Sequence, residues 1–340
     1  MLVKEPTRGR SDSRDSWDSA FARELSTTMG FDCQKNKCWR LDVNRALFLR
    51  VVSLRHEAFH GSQWTYNAAM NPQALAEDDL HIWYIHLDRC VSQVCDYRAI
   101  LSGAERSRAL RFHFQRDRER YLIAHGALRY LLGIYADRDP RDVSISRLAQ
   151  GKPVLTDVPL EFNLAHSNDM AVIAIARRQV GVDIECLRTL PDAVDLAQRF
   201  FPEAEALYIC QLPEKSRDME FLRCWTRKEA YLKGCGVGLT VPLRSVSTGL
   251  NRSHNRALLT CNSEGNPPSC WKFAEFHLHP SYLGSVAVKG GFDRMEEFLF
   301  HGVYHDGPQC TVSRIRWQPF VKSQQTAPGC SLNELDFLTR

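Results

Sequence analysis

The sequence predicts an α+β fold of two similar halves, each a long helix packed on an antiparallel sheet. Three observations carry that prediction. Two long stretches, Arg116 to Tyr135 and Met219 to Lys233, repeat apolar residues at helical spacing. Each precedes a segment of similar texture, His166 to Ala174 in one case and His279 to Ala287 in the other. The chain of 340 residues is 44% hydrophobic and 25% charged, enough for one large domain or two smaller ones.

The elements follow in order. Residues 1–78 form an N-terminal extension whose order the composition leaves open: residues 4–18 are rich in Arg, Asp and Ser, and Asn67 to Asp79 resembles a linker. The first half spans 79–180. His81 to Leu87 reads as a strand, and Ser102-Gly103-Ala104-Glu105 fits the start of a short helix reaching Phe112. Tyr121, Leu122, Leu128, Leu131 and Leu132 give the long helix its apolar stripe. Gly151-Lys152-Pro153 is a turn. Phe162 to Ser167 and Met170 to Ala176 read as a hairpin, and Val180 to Ile184 as the next strand. The second half spans 181–291, with a junction near Arg178 to Val182. Its helices cover Asp192 to Phe201, Pro202 to Gln211 and Met219 to Lys233, the last ended by Gly234 and Gly236. Strands are expected near Arg256 to Thr260, Trp271 to His277 and Ser285 to Val288. Residues 292–340 show little periodicity and read as a C-terminal appendage.

Bulk properties exclude several classes. The net charge of +4 permits an acidic partner without demanding nucleic acid. No run of about 18 apolar residues occurs, so no transmembrane helix is expected. The polar start, Met1 to Asp18, is not a secretory signal. The twelve cysteines include no Cys-x-x-Cys pair and read as reduced thiols of a cytoplasmic protein. Gly234, Gly236 and Gly238 follow a helix rather than open one, which argues against a Rossmann or phosphate-loop site.

The strongest signal is a split carboxylate motif. Gly181-Val182-Asp183-Ile184-Glu185 lies in a strand, where Asp183 and Glu185 share a face. In the helix Trp225-Thr226-Arg227-Lys228-Glu229-Ala230-Tyr231-Leu232-Lys233, positions four apart put Trp225, Glu229 and Lys233 on one stripe. Strand against helix brings three carboxylates beside an ammonium group. Such carboxylates repel one another unless a cation offsets them. Hard oxygen donors suit Mg²⁺, whose octahedron is completed by water and substrate phosphates.

This motif resembles the signature of the 4′-phosphopantetheinyl transferases, of the surfactin-synthetase-activating (Sfp-like) type. Gly181, Asp183, Trp225, Lys228, Glu229, Ala230 and Lys233 match it, and Gly236-Val237-Gly238-Leu239 is similar to its continuation. Upstream, Gly151-Lys152-Pro153 and Phe162-Asn163-Leu164-Ala165-His166-Ser167 resemble further family segments, with Ala165 where serine is usual. Arg111-Phe112 and the helix around Arg120 are similar to an Arg-rich entry helix, and Arg199-Phe200-Phe201 with Glu203 or Glu205 to a middle segment. The resemblance covers about Leu80 to Gly290.

The resemblance implies a monomer with a pseudo-two-fold and coenzyme A between the halves. It implies a transferase, a holo-acyl-carrier-protein synthase. The serine hydroxyl of an acyl- or peptidyl-carrier protein attacks the β-phosphorus of coenzyme A. Phosphopantetheine moves to the serine and adenosine 3′,5′-bisphosphate leaves. Asp183, Glu185 and Glu229 would hold Mg²⁺, while Glu229, or a water on the metal, would take the serine proton. Lys233 would favour the leaving group. Arg111, Lys152, His166, Ser167, Lys228 and Lys233 are the candidate contacts for coenzyme A. Trp225 positions the helix by packing.

The carrier is expected to dock on Leu187, Leu190 and Phe200, with Arg188 and Arg199 meeting an acidic helix. Two other readings have weaker support. His56-Glu57-Ala58-Phe59-His60 matches the His-Glu-x-x-His pattern of zinc peptidases, with no third ligand at a characteristic spacing. Arg106 to Arg147 is rich in arginine, as in nucleic-acid-binding proteins, but Glu105, Asp117, Glu119, Asp137, Asp139 and Asp142 dilute its charge.

Overall fold

A computed structural model of the protein describes residues 75–247, 270–276, 279–303 and 310–314. The chain before Leu75 with its His56-Glu57-x-x-His60 motif, the expected strand near Arg256 to Thr260 and the tail beyond residue 314 lie outside the described residues.

Strand β1 (Asp79–His86) leads through a 3₁₀ segment to α1 (Val94–Ile100), α2 (Gly103–Ala109) and the 22-residue α3 (Gln115–Ala136). Helix α2 begins where Ser102-x-x-Glu105 predicts it. The Ser102 hydroxyl accepts from the Glu105 amide, and the Glu105 carboxylate accepts the Ser102 amide 2.8 Å away. Strands β2 (Ile145–Arg147) and β3 (Pro153–Leu155) form a small hairpin, in whose turn Gly151 adopts φ 92°. The expected hairpin follows as β4 (Glu161–Ser167) and β5 (Met170–Ala176), then β6 (Val180–Cys186).

Helices α4 (Ala193–Phe200) and α5 (Glu203–Gln211) precede α6 (Glu214–Cys235), also of 22 residues. Helix α6 starts before the expected Met219, because its charged first turn carries no apolar stripe to read. It ends as expected at Gly236, in the left-handed region at φ 73°. Strands β7 (Trp271–Phe276), β8 (Tyr282–Lys289), β9 (Arg294–Val303) and β10 (Cys310–Arg314) complete the described elements.

The fold is α+β, arranged in layers. One sheet has the order β10-β9-β1-β5-β4 and the other β6-β8-β7. Their inner faces meet in a core that includes Ile82, Tyr84, Val172, Val182, Val286 and Leu299. Helix α3 covers the outer face of the larger sheet through Ile123, Ala127, Leu128 and Leu131, packed with Trp83, Ile173 and Phe298. Helices α4 and α6 cover the outer face of the smaller one, where Leu196, Trp225 and Tyr231 meet Trp271 and Phe273. Sheets covered on both faces read as continuous apolar runs, as in Met170-Ala171-Val172-Ile173-Ala174-Ile175-Ala176.

Two expectations are corrected here. The stretch after residue 292 is not wholly an appendage. Strand β9 lies parallel to β1, from Asp79 opposite Arg294 to Ile85 opposite Phe300, and antiparallel to β10. The larger sheet is therefore mixed. Phe298 and Phe300 face α3 while Leu299 faces the other sheet, so this strand shows no apolar–polar alternation for a sequence reading to detect. The extension also ends earlier than residue 78, since Leu75 is buried in the α3 core. No helix of the described residues is long and apolar enough to cross a membrane.

Candidate active site

The site forms where β6 and α6 touch. Val180, Val182 and Ile184 point into the core between the sheets, which turns Gly181, Asp183 and Glu185 toward α6. At Gly181 the helix backbone comes so close that a Cβ would lie 2.0 Å from the Ala230 carbonyl oxygen and 2.2 Å from the Gly234 nitrogen. Only glycine permits this approach. On the other side Asn163 anchors β6 to β4, its Oδ1 accepting the Val182 amide at 2.8 Å.

The close approach gathers the charged groups. Asp183, Glu185 and Glu229 are 5%, 4% and 8% exposed. Lys233 donates to Asp183 Oδ1 at 2.6 Å. Glu185 Oε2 accepts from Ser167 Oγ at 3.1 Å and from Arg188 Nη1 at 3.0 Å. Ser167 Oγ in turn accepts the Cys186 amide at 3.1 Å. Asp183 Oδ2 and Glu229 Oε1 are buried without a hydrogen-bond partner among the described residues.

The electrostatics match this crowding. Desolvation pushes Glu185 up to about 7, partly opposed by Arg188 and reinforced by Asp183. Desolvation also pushes Glu229 up to about 7; Lys233 opposes this, and Asp183 and Glu185 add to it. Asp183 is raised by desolvation against the pull of Lys233. Lys233 loses basicity to desolvation, but Asp183 and then Glu229 more than restore it, and its net shift is upward. Two orphaned buried oxygens among three mutually repelling carboxylates fit a hard divalent cation. Among the described residues no group of three or more His, Cys, Asp or Glu closes on a metal unaided, so remaining donors would have to come from substrate and water.

Not every expected residue joins the cluster. His166 is exposed next to Ser167 at the end of β4. Arg111 is exposed just beyond α2. Lys152 is buried and pairs with the Glu161 carboxylate at 3.3 Å. Its ammonium donates to the Gly234 carbonyl at 2.9 Å and the Val180 carbonyl at 3.3 Å, and so fastens the last turn of α6 to β6. Lys228 is fully buried against Glu205 at 2.6 Å and also donates to the Val246 carbonyl. It is neither at the cluster nor on the helix surface. Lys228→Met would leave Glu205 buried without its cation, at a cost of about 3–5 kcal/mol in a denaturant titration.

The docking surface expected on Leu190 and Phe200 is corrected: both belong to the core under α4, and Leu187 packs against it. Trp225 packs as expected, stacked with Phe221 at 6.5 Å. The arginine-rich stretch is largely paired. Arg120 binds Asp88, Arg129 is buried on Glu105, and Arg138 and Arg141 bind Asp157 and Asp139. Arg120 is the residue that sequence reasoning undervalued. It lies at the edge of the buried stretch of α3 that begins at Tyr121, and only the fold brings it near Asn168 and His166.

The chain matches known proteins over both of its halves. The model of the 4′-phosphopantetheinyl transferase superfamily matches residues 179–288, and that of the 4′-phosphopantetheinyl transferase N-terminal region matches 90–178. The chain is 36% identical over 221 residues to the 4′-phosphopantetheinyl transferase HetI of Nostoc sp., covering 64% of this chain and 90% of that one. It is 30% identical over 212 residues to the 4′-phosphopantetheinyl transferase Sfp of Bacillus subtilis, covering 62% and 92%. A phosphopantetheinyl transferase of Thraustochytrium sp. is 27% identical over 208 residues, covering 56% and 70%. With the split carboxylate site built at the contact of β6 and α6, inside the matched stretch 179–288, the chain belongs to the 4′-phosphopantetheinyl transferase superfamily, enzymes that transfer phosphopantetheine to carrier proteins.

Proposed function

We propose that this transferase works with Mg²⁺ held between Asp183, Glu185 and Glu229, and that coenzyme A lies along the seam between halves 79–180 and 181–291. The observation that carries the reading is the pair of orphaned oxygens on Asp183 and Glu229 within one cluster of interacting charges. When held by these carboxylates, the metal would supply positive charge to offset the negative charge building up on the pyrophosphate during displacement. Lys233, anchored on Asp183, holds a positive charge where the leaving bisphosphate gathers negative charge. Glu229, through the carboxylate oxygen that does not face the metal, or a water on the metal, is the candidate to accept the serine proton. His166, Arg120 and Arg111 supply cationic and hydrogen-bonding contacts for the phosphates. Ser167 acts through Glu185, which it holds by a hydrogen bond. Each half carries a 22-residue helix on the outer face of a sheet, which supports the pseudo-two-fold arrangement of a monomer.

The test is to mix the protein with apo carrier and coenzyme A and to weigh the carrier. A gain of one phosphopantetheine with Mg²⁺, and none after chelation, is expected. A gain that survives chelation overturns the metal assignment.

The raised carboxylates add a pH dependence. Glu185 and Glu229 bind protons more tightly in the folded metal-free protein than in the unfolded chain. Their contribution to stability is therefore present at low pH and is lost as pH rises through about 7. A divalent cation should compensate where the carboxylates are charged. Mg²⁺ should raise the Tm more at pH 8 than at pH 6, and equal shifts at both would contradict the assignment.

A further inference from the structure

The hairpin between β4 and β5 carries Ser167, and its tip is fastened on several sides. Asn168 sits in the left-handed region at φ 51°. Its side chain accepts from Arg120 of α3 at 3.4 Å, and Arg120 is itself held by Asp88 at 2.8 and 2.7 Å. The Asp169 carbonyl accepts the Leu87 amide at 2.8 Å, which ties the tip to the end of β1. Across the seam, the Tyr282 hydroxyl donates to the Asp169 carboxylate. Tyr282 opens β8 directly opposite Cys186 in register, one residue from Glu185. The Cys186 amide and the Glu185 carboxylate are the two groups that Ser167 Oγ bonds.

These links form one closed circuit: Tyr282 to Asp169, along the tip to Ser167, and through Ser167 back to Glu185 and Cys186. It joins the larger sheet to the smaller at the mouth of the site. Three links cross between the sheets: the Tyr282 hydroxyl to Asp169, the Cys186 amide to Ser167 Oγ, and Ser167 Oγ to the Glu185 carboxylate. A partner that orients a ligating carboxylate is worth roughly 10- to 100-fold in metal affinity or activity.

We propose that Tyr282 and Asp169 are positioning residues for transfer: their hydrogen bond holds the β4–β5 tip so that Ser167 fixes the Glu185 carboxylate toward the metal. The inference rests on reading Glu185 as a metal ligand. Tyr282→Phe deletes the hydroxyl and keeps the ring in the core between the sheets. Asp169→Ala deletes the acceptor, and Asp169→Asn keeps a carbonyl oxygen able to accept from the tyrosine.

The experiment follows the Mg²⁺ dependence of transfer to carrier, together with calorimetric binding of Mg²⁺ in the presence of coenzyme A. Tyr282→Phe and Asp169→Ala should each raise the half-saturating Mg²⁺ concentration by roughly tenfold. The double variant should be no worse than either single one, and Asp169→Asn should restore the wild-type value. A fall in Tm with the Mg²⁺ half-saturation unmoved would mean a purely structural bond and would overturn the proposal. Glu185→Gln separates the two ideas. If it leaves Mg²⁺ binding intact, the metal-ligand reading fails; if it abolishes binding while Tyr282→Phe does not shift it, only the positioning role fails.

Discussion

Gly181→Ala is expected to abolish transfer and to destabilise the protein by about 3 kcal/mol, the upper range for forcing a methyl into a filled space. The new Cβ would meet the Ala230 carbonyl at 2.0 Å and the Gly234 nitrogen at 2.2 Å, with the Gly234 Cα at 2.7 Å. All three are backbone atoms, so no side-chain rotation relieves the clash. Either α6 moves off β6 or β6 bends away from β8. Both movements separate Asp183 and Glu185 on the strand from Glu229 and Lys233 on the helix. Activity should therefore vanish even at temperatures where the variant is fully folded. The check is a denaturant titration beside carrier mass measurement. A folded Gly181→Ala protein with normal transfer would show that the strand–helix contact does not set the site.

Glu229→Gln should reduce transfer by about 10²–10³-fold, the order seen when one group stabilising transition-state charge is removed. Stability should move the other way. Glu229 is buried, lacks a partner at Oε1 among the described residues, and faces the negative charges of Asp183 and Glu185. A neutral amide of the same shape removes that repulsion. Without divalent cation at pH 8, where the carboxylate is ionised, the variant should melt no lower than the parent. The stabilisation that Mg²⁺ gives the parent should shrink in the variant. Asp183→Asn should differ, because it also strips Lys233 of its 2.6 Å partner and leaves that ammonium poorly compensated. Comparing the two variants by calorimetry separates relief of repulsion from loss of an ion pair. A Glu229→Gln enzyme with parental transfer rates would remove Glu229 from the chemistry.

Much of the site was legible from local periodicity. Asp183 and Glu185 are two apart in a strand, and Glu229 and Lys233 four apart in a helix, so each pair shares a face whatever the rest of the chain does. The ends of elements with a local chemical device were also legible. Ser102 with Glu105 starts α2, and Gly236 stops α6. The elements misread lack such devices. Strand β9 shows no alternation because both its faces are covered, and the first turn of α6, Glu214-Lys215-Ser216-Arg217, is polar throughout.

The roles of the individual cations were not legible. Nothing in the residues beside Lys152, Lys228, Lys233 and Arg120 names the partner of each. Folding directs Lys152 to the Gly234 carbonyl, Lys228 to buried Glu205, Lys233 to Asp183 and Arg120 to Asp88 and the hairpin tip. Charge pairing depends on which elements meet, and those contacts lie tens of residues apart in the chain.

The sequence by itself determined the carboxylate set, the two long helices and the family, because strand and helix periods act over a few residues. Only the tertiary structure decided which lysine pairs with Asp183, that β9 joins the larger sheet, and that Tyr282 reaches across the seam to Asp169. Each of these is a contact between segments whose separation in space follows from packing two covered sheets face to face.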